Sequence, residues 1–217
     1  MDQLGCSERS MQQCRETRYQ GPEHRRAVAA IRTIGHGTLG AEQFVELARG
    51  AGVETVVDVR RYPGSRRHPH FAREVMAAWL PANGMAYRWL AALGGRRKPS
   101  PHSANAGWRN PQFRAYADYM ASDEFAAGVS ELKELAAGCS VAVMCSESVW
   151  WRCHRRLLAD HLVVIERIPV DHVFHDGRLT SHEPLSGARR NGPHLIYPAA
   201  DPESASPPGA VTSAGGQ

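Results

Sequence analysis

The chain has 217 residues, 42% of them hydrophobic and 22% charged, with a formal net charge of +4. That is enough for one domain with a substantial core, and no apolar run approaches the ~18 residues that a membrane span needs. The N-terminal stretch lacks the apolar segment of a secretory signal, and five cysteines without a dense spacing framework read as reduced thiols of a cytoplasmic protein, not as a disulfide scaffold.

In chain order, residues 1–29 show no sustained period and few large aliphatics, which predicts a disordered extension. Ala30–Gly35 reads as a short buried strand. Thr38 is placed to cap a helix through "AEQFVELARGAG", where Phe44, Leu47 and Ala48 keep helical spacing and Gly50 and Gly52 end it. Glu54–Arg60 is a second, Val-rich strand, and "RYPGSRRHPH" is a loop. "AREVMAAWLPANG" reads as a helix with Val75, Met76, Trp79 and Leu80 on one face, bent or ended by Pro81.

Met85–Leu90 is a third strand, followed by a long basic loop. Helices are expected near Gln112–Met120 and Asp123–Ala137, with Gly138 as a stop, then a strand at Ser140–Met144. "WRCHRRLLADHL" reads as one continuous helix and "IPVDHV" as the last strand. From residue 186 the chain is rich in Gly, Pro, Ser and Ala and reads as a disordered tail, leaving one domain at 30–185. Strands alternating with helices predict a three-layer α/β fold, a mostly parallel sheet with helices on both faces.

In such sheets ligands bind beyond the carboxyl ends of the strands. Chemically active residue types follow the strands of this chain: His36 after the first, Asp58 and Arg60 at the second, Arg96 and Arg97 after the third, Cys145 and Glu147 after the fourth, and His172 at the fifth. Basic residues crowd the same segments. Ten lie between Arg60 and Arg109, Arg66 among them, against the single acid Glu74, a distribution that favours an anionic ligand over mere solubility.

Cys145 is a candidate nucleophile if a helix N-terminus lowers its pKa; otherwise it is a small buried residue. Glu147, His36 and His154 are candidate proton carriers. Arg60, Arg66, Arg96, Arg97 and Arg155, with Asp58 and His172, are the candidate substrate-binding set. The phosphatase pattern C-x5-R fails, because Trp151 stands where Arg is needed. Cys145-x7-Cys153 is not a usual zinc spacing, so no metal and no cofactor are expected, the alternative being a site of Cys145, Cys153 or His154 with a distant His36 or His172.

Taken together, "TIGHG", "VVDVRRYPGSR", "YRWLAALGGRR", Trp108 with the Tyr116–Tyr119 segment, "VMCSESVWWRCHR" and "VDHV" resemble the bacterial and archaeal family called domain of unknown function 488, over Arg32 to His172. The resemblance implies an α/β fold and motif positions at His36, Asp58, Arg60, Cys145, Glu147, Cys153, His154, Arg155 and His172, without naming a substrate. Gly37 stands where that family usually has Ser. The expected function is a thiol-dependent hydrolase or transferase acting on a phosphate-bearing nucleotide or nucleic-acid end. The alternative is a non-catalytic nucleic-acid-binding module that uses the Arg60–Arg109 loops. Partners are an anionic small molecule or nucleic acid, with no membrane.

Overall fold

The computed structural model describes residues 30–64 and 67–199, so Arg66 and the 1–29 extension lie outside the described residues. Its centre is a six-stranded sheet in the order β3-β2-β4-β1-β5-β6. The strands are β1 (Ile31–Gly35), β2 (Thr55–Asp58), β3 (Ala86–Trp89), β4 (Val141–Cys145), β5 (Val170–Val173) and β6 (Leu179–Ser181). All neighbours pair in parallel except β5 with β6. Strands β2 and β4 are buried along their whole length, as central parallel strands covered on both faces must be.

The two faces carry separate cores because side chains alternate along each strand. On one face α1 (Ala41–Gly50) and α2 (Arg73–Ala82) pack Phe44, Val45, Ala48, Met76 and Leu80 against Ile34, Val56, Ala142 and Met144. On the other, α3 (Pro111–Tyr119), α4 (Asp123–Gly138) and α5 (Arg155–Val164) bring Tyr116, Phe125, Leu132, Leu157 and Leu162 to Val57, Val141, Val143 and Cys145. This is the three-layer α/β architecture expected from the alternation of elements. Among the described residues no helix is long and apolar enough to cross a membrane.

Three local expectations change. Thr38 does not cap α1. The helix starts after Gly40, whose N–H donates to Gln43 Oε1 at 2.9 Å, because the Leu39 N–H turns back to the His36 carbonyl. The expected continuous helix from Trp151 is broken: a 3-10 turn at Trp150–Arg152 gives way to an extended Cys153 (φ −123°, ψ 153°) before α5 begins at Arg155. The folded part also runs past 186, where a hairpin of β7 (Arg189–Asn191) and β8 (His194–Ile196) sets Leu195 and the following Tyr197 into the core. Two apolar side chains in a polar stretch suffice for this, because the Tyr197 hydroxyl also finds Asp160 Oδ2 at 2.7 Å.

The chain leaves β1 toward β2 by way of α1 and leaves β4 toward β5 by way of α5, on opposite faces. A crevice therefore opens between the carboxyl ends of β1 and β4, where Gly35 and Cys145 stand in register. In an open α/β sheet this switch point is where a ligand site forms.

Candidate active site

A cavity of about 780 Å³ fills that crevice. Cys145 enters it from the end of β4. The extended backbone of Cys153, one residue before the His154 cap of α5, brings the second sulfur to it. His154 Nδ1 lies 4.0 Å from Cys145 Sγ and 3.5 Å from Cys153 Sγ. A continuous helix would have fanned Cys153 and His154 about 100° apart; the break at Cys153 lets both serve one site.

The two thiols are free, and their surroundings push them in opposite directions. Cys145 is pushed up to about 12, first by donating its S–H to Cys153 and then by burial. Burial also works against the Cys153 thiolate, but the Cys145 bond, the Arg155 charge and the Arg155 backbone N–H outweigh it and bring Cys153 down to about 6. The helix-terminus argument applied to Cys145 in the sequence therefore fits Cys153, the residue that actually stands at the N-terminus of α5. Tyr116 closes one side of His154, ring to ring at 5.0 Å, and its hydroxyl is spent on the Leu93 carbonyl at 2.8 Å.

His36 lines the opposite wall, stacked on Phe71 at 4.1 Å. Its Nδ1 faces the Gly37 carbonyl at 3.0 Å, so that nitrogen carries the proton, and its Nε2 faces Arg60 Nη1 at 3.4 Å. Burial first, then the Arg60 charge, lowers its pKa to about 3. His36 is therefore a neutral imidazole at ordinary pH.

The expected binding residues divide sharply. Arg96 is exposed and lines the cavity, held in a left-handed conformation at φ 57°. Arg61 and Arg152 join it there. Among the described residues no acid pairs with any of the three. Glu147 also lines the cavity with an exposed side chain, while its carbonyl accepts from Arg155 Nη2.

Arg60 reaches the wall but is committed inside. Its Nε and Nη2 donate to the Asp58 carboxylate at 2.8 and 2.6 Å, and Nη2 also reaches the Phe71 carbonyl. Asp58 is wholly buried and takes the Tyr87 hydroxyl as well at 2.8 Å. Asp58 thus positions Arg60 and does not itself line the cavity.

Arg97, Arg155 and His172 are not brought to the cavity. Arg97 is buried under the Tyr119 ring at 3.4 Å and donates to the carbonyls of Gly94, Ala91 and Ala92. Arg155 is 1% exposed and holds the loop after β4. A guanidinium with five donors can satisfy several backbone carbonyls at once, and Arg97 does so, whereas Arg155 holds the Glu147 carbonyl.

His172 belongs to a second, buried network. Asp160 Oδ1 accepts from His182 Nε2 at 2.8 Å, which leaves His182 Nδ1 to accept from His172 Nε2 at 2.9 Å. His172 Nδ1 then accepts from Thr33 Oγ1 at 2.7 Å, and Trp150 stacks on the ring at 3.9 Å. Burial and the neighbouring His182 lower His172 to about 3. The unfolded histidine titrates near 6.5, so its contribution is full above that pH and is lost as the pH falls toward 3. Stability is expected to drop by about 2 kcal/mol between pH 7 and pH 5 from this residue alone. Denaturant unfolding at the two pH values checks it, and a His172→Gln variant should show a correspondingly shallower dependence.

Residues that the sequence reading gave no role also form the cavity, chiefly Arg61, Tyr62 and Gln112, and Cys153, noted as a motif position, is the most consequential of those lining it. Arg61 was legible in the basic run, whereas Tyr62 and Gln112 carry no sequence signal beyond their places in a loop and at a helix start. Three donor atoms suited to a metal, from Cys145, Cys153 and His154, lie within 4.8 Å of one another.

A family model described as Domain of unknown function DUF488 matches residues 40–162, more than half of the chain. The matched stretch runs through the Asp58 strand to α5 and takes in both sulfurs and His154, whereas His36 and His172 fall outside it. No curated protein and no solved structure matches the chain.

Proposed function

The chain belongs to the DUF488 family, and from that premise we propose that it is a thiol-dependent hydrolase or transferase acting on a small phosphate-bearing substrate, a nucleotide or a nucleic-acid end. The observation that carries this reading is the sulfur pair with an imidazole against both, set at the switch point of the sheet in a cavity walled by Arg61, Arg96 and Arg152. Unpaired guanidiniums are suited to phosphate oxygens. Buried thiols beside a helix N-terminus are suited to nucleophilic attack.

In this mechanism the Cys153 thiolate, not Cys145, attacks. A bond forms from its sulfur to the electrophilic centre as the bond to the leaving oxygen breaks, and that oxygen takes a proton from His154. Cys145 donates its S–H to the resting thiolate and releases it during attack. Water, or a second acceptor, then displaces the sulfur and returns the proton to His154, so the enzyme is regenerated without an outside oxidant or reductant.

Turnover on a panel of nucleotides and phosphate esters tests this. Cys153→Ser is expected to lower kcat by about a thousandfold or more, while Arg152→Ala mainly raises KM. Activity that survives Cys153→Ser and Cys145→Ser together removes covalent thiol catalysis. Salt-sensitive binding of single-stranded nucleic acid without any turnover would favour the binding-module alternative.

A further inference from the structure

We propose that Cys145, Cys153 and His154 form a site for a thiophilic divalent cation, zinc above all, with its fourth coordination position open to the cavity. The inference rests on the thiol reading above, because the metal takes the same sulfurs and so acts as the off-switch of their nucleophilic chemistry.

The geometry is that of a site already assembled. Zn–S bonds of about 2.3 Å and a Zn–N bond of about 2.0–2.1 Å at tetrahedral angles put sulfur and nitrogen about 3.6 Å apart and the two sulfurs about 3.8 Å apart. The observed Nδ1-to-sulfur distances of 3.5 and 4.0 Å bracket the first value, and all three donors fall within 4.8 Å. Two sulfurs and one imidazole are a soft donor set that selects zinc or cobalt over magnesium or calcium.

The donors are also held in place. Cys145 is in register with Gly35 on the neighbouring strand. The Cys153 N–H bonds the Trp150 carbonyl at 3.1 Å, and its own carbonyl takes the Arg156 N–H at 3.0 Å. Among the described residues His154 Nε2 is buried without a hydrogen-bond partner, and the ring's hydrogen-bonding contacts are with the two sulfurs. All three residues line the cavity, which leaves the fourth position to a water molecule or to an anionic ligand held by the arginines. Two thiolates and a divalent cation sum to zero charge, which suits a buried place. Uptake sends the remaining Cys145 thiol proton to solvent.

The test uses the full chain, reduced and freed of metal with a chelator. Cobalt(II) is expected to saturate at one equivalent per chain with a thiolate-to-cobalt charge-transfer band and tetrahedral visible bands. Zinc should erase them. The bands should vanish in Cys145→Ser and in Cys153→Ser, with folding checked by circular dichroism. In the unsubstituted chain, zinc should shield Cys145 and Cys153 from alkylation and leave Cys139 as reactive as before, read by peptide mass spectrometry.

A missing charge-transfer band, or one that persists in Cys153→Ser, overturns the metal site. Alkylation of the metal-free chain separates the two readings. Fast reaction at Cys153 without a cobalt band sinks the metal and leaves the thiol enzyme standing. A cobalt band with an inert metal-free Cys153 keeps the metal and sinks the nucleophile.

Discussion

Asp58→Ala is expected to cost the folded state about 3–5 kcal/mol, the largest stability effect of any single change near the cavity. The carboxylate is wholly buried and accepts the Arg60 backbone N–H at 3.0 Å, the Nε and Nη2 of its guanidinium, and the Tyr87 hydroxyl. Burial opposes the Arg60 charge, and the Asp58 bond is what restores it. Removing the acid strands a buried cation beside His36, with only the Phe71 carbonyl and the Met76 sulfur among the described residues left to hold Nη2. Denaturant unfolding measures the loss. A double variant, Asp58→Ala with Arg60→Met, should recover much of it, because the penalty lies in the orphaned charge and not in the absent pair. A single-variant loss under about 1 kcal/mol would mean that Arg60 swings out to solvent.

Gly35→Ala is expected to destabilise by about 3 kcal/mol and to disable the site at the same time. A Cβ there would sit 1.9 Å from the Glu147 carbonyl oxygen, 2.7 Å from its carbon and 2.8 Å from Arg155 Nη2. Two of those atoms are backbone, so the loop after β4 must lift. That breaks the Arg155 hold on Glu147 and moves Cys145, the residue in register with Gly35. Gly50→Ala is the control: its added Cβ meets nothing within 4 Å and it ends a helix. If Gly35→Ala unfolds at the same denaturant concentration as Gly50→Ala and keeps its cysteine reactivity, the close packing of this loop has been misread.

Much of this arrangement can be read in the sequence, and the gaps have physical causes. The alternation of Val-rich runs with amphipathic stretches suffices for a parallel sheet with two covered faces. The rule that ligands gather at strand ends then leads to His36, Arg60, Arg96, Cys145 and Glu147, which line one cavity, to Asp58 behind Arg60, and to Arg97 and His172, which lie away from it. Charge alone could not say which guanidiniums face a ligand. Arg97 and Arg155 satisfy backbone carbonyls, which leave no mark in composition, whereas Arg61 and Arg152, beside them in the same basic runs, reach the cavity. Periodicity failed at Cys153 because "WWRCHRR" keeps helical character in its residue types while its backbone breaks for a single residue. The hairpin at 189–196 was invisible because β7 is fully exposed and β8 sets only one residue into the core.

The cavity joins two kinds of material. Its floor, Cys145 and Cys153, is part of the larger core cluster, so no atom there can be exchanged without disturbing the packing of three helices. Its walls, among them Arg61, Tyr62, Arg96 and Gln112, come from connections and a helix start that carry little of that packing. Inheritance and engineering therefore meet unequal resistance at the two. Recognition of a new ligand can be reached by editing the rim one residue at a time, at small cost to folding. The sulfur pair of the floor is bound to the core and changes only when the core does.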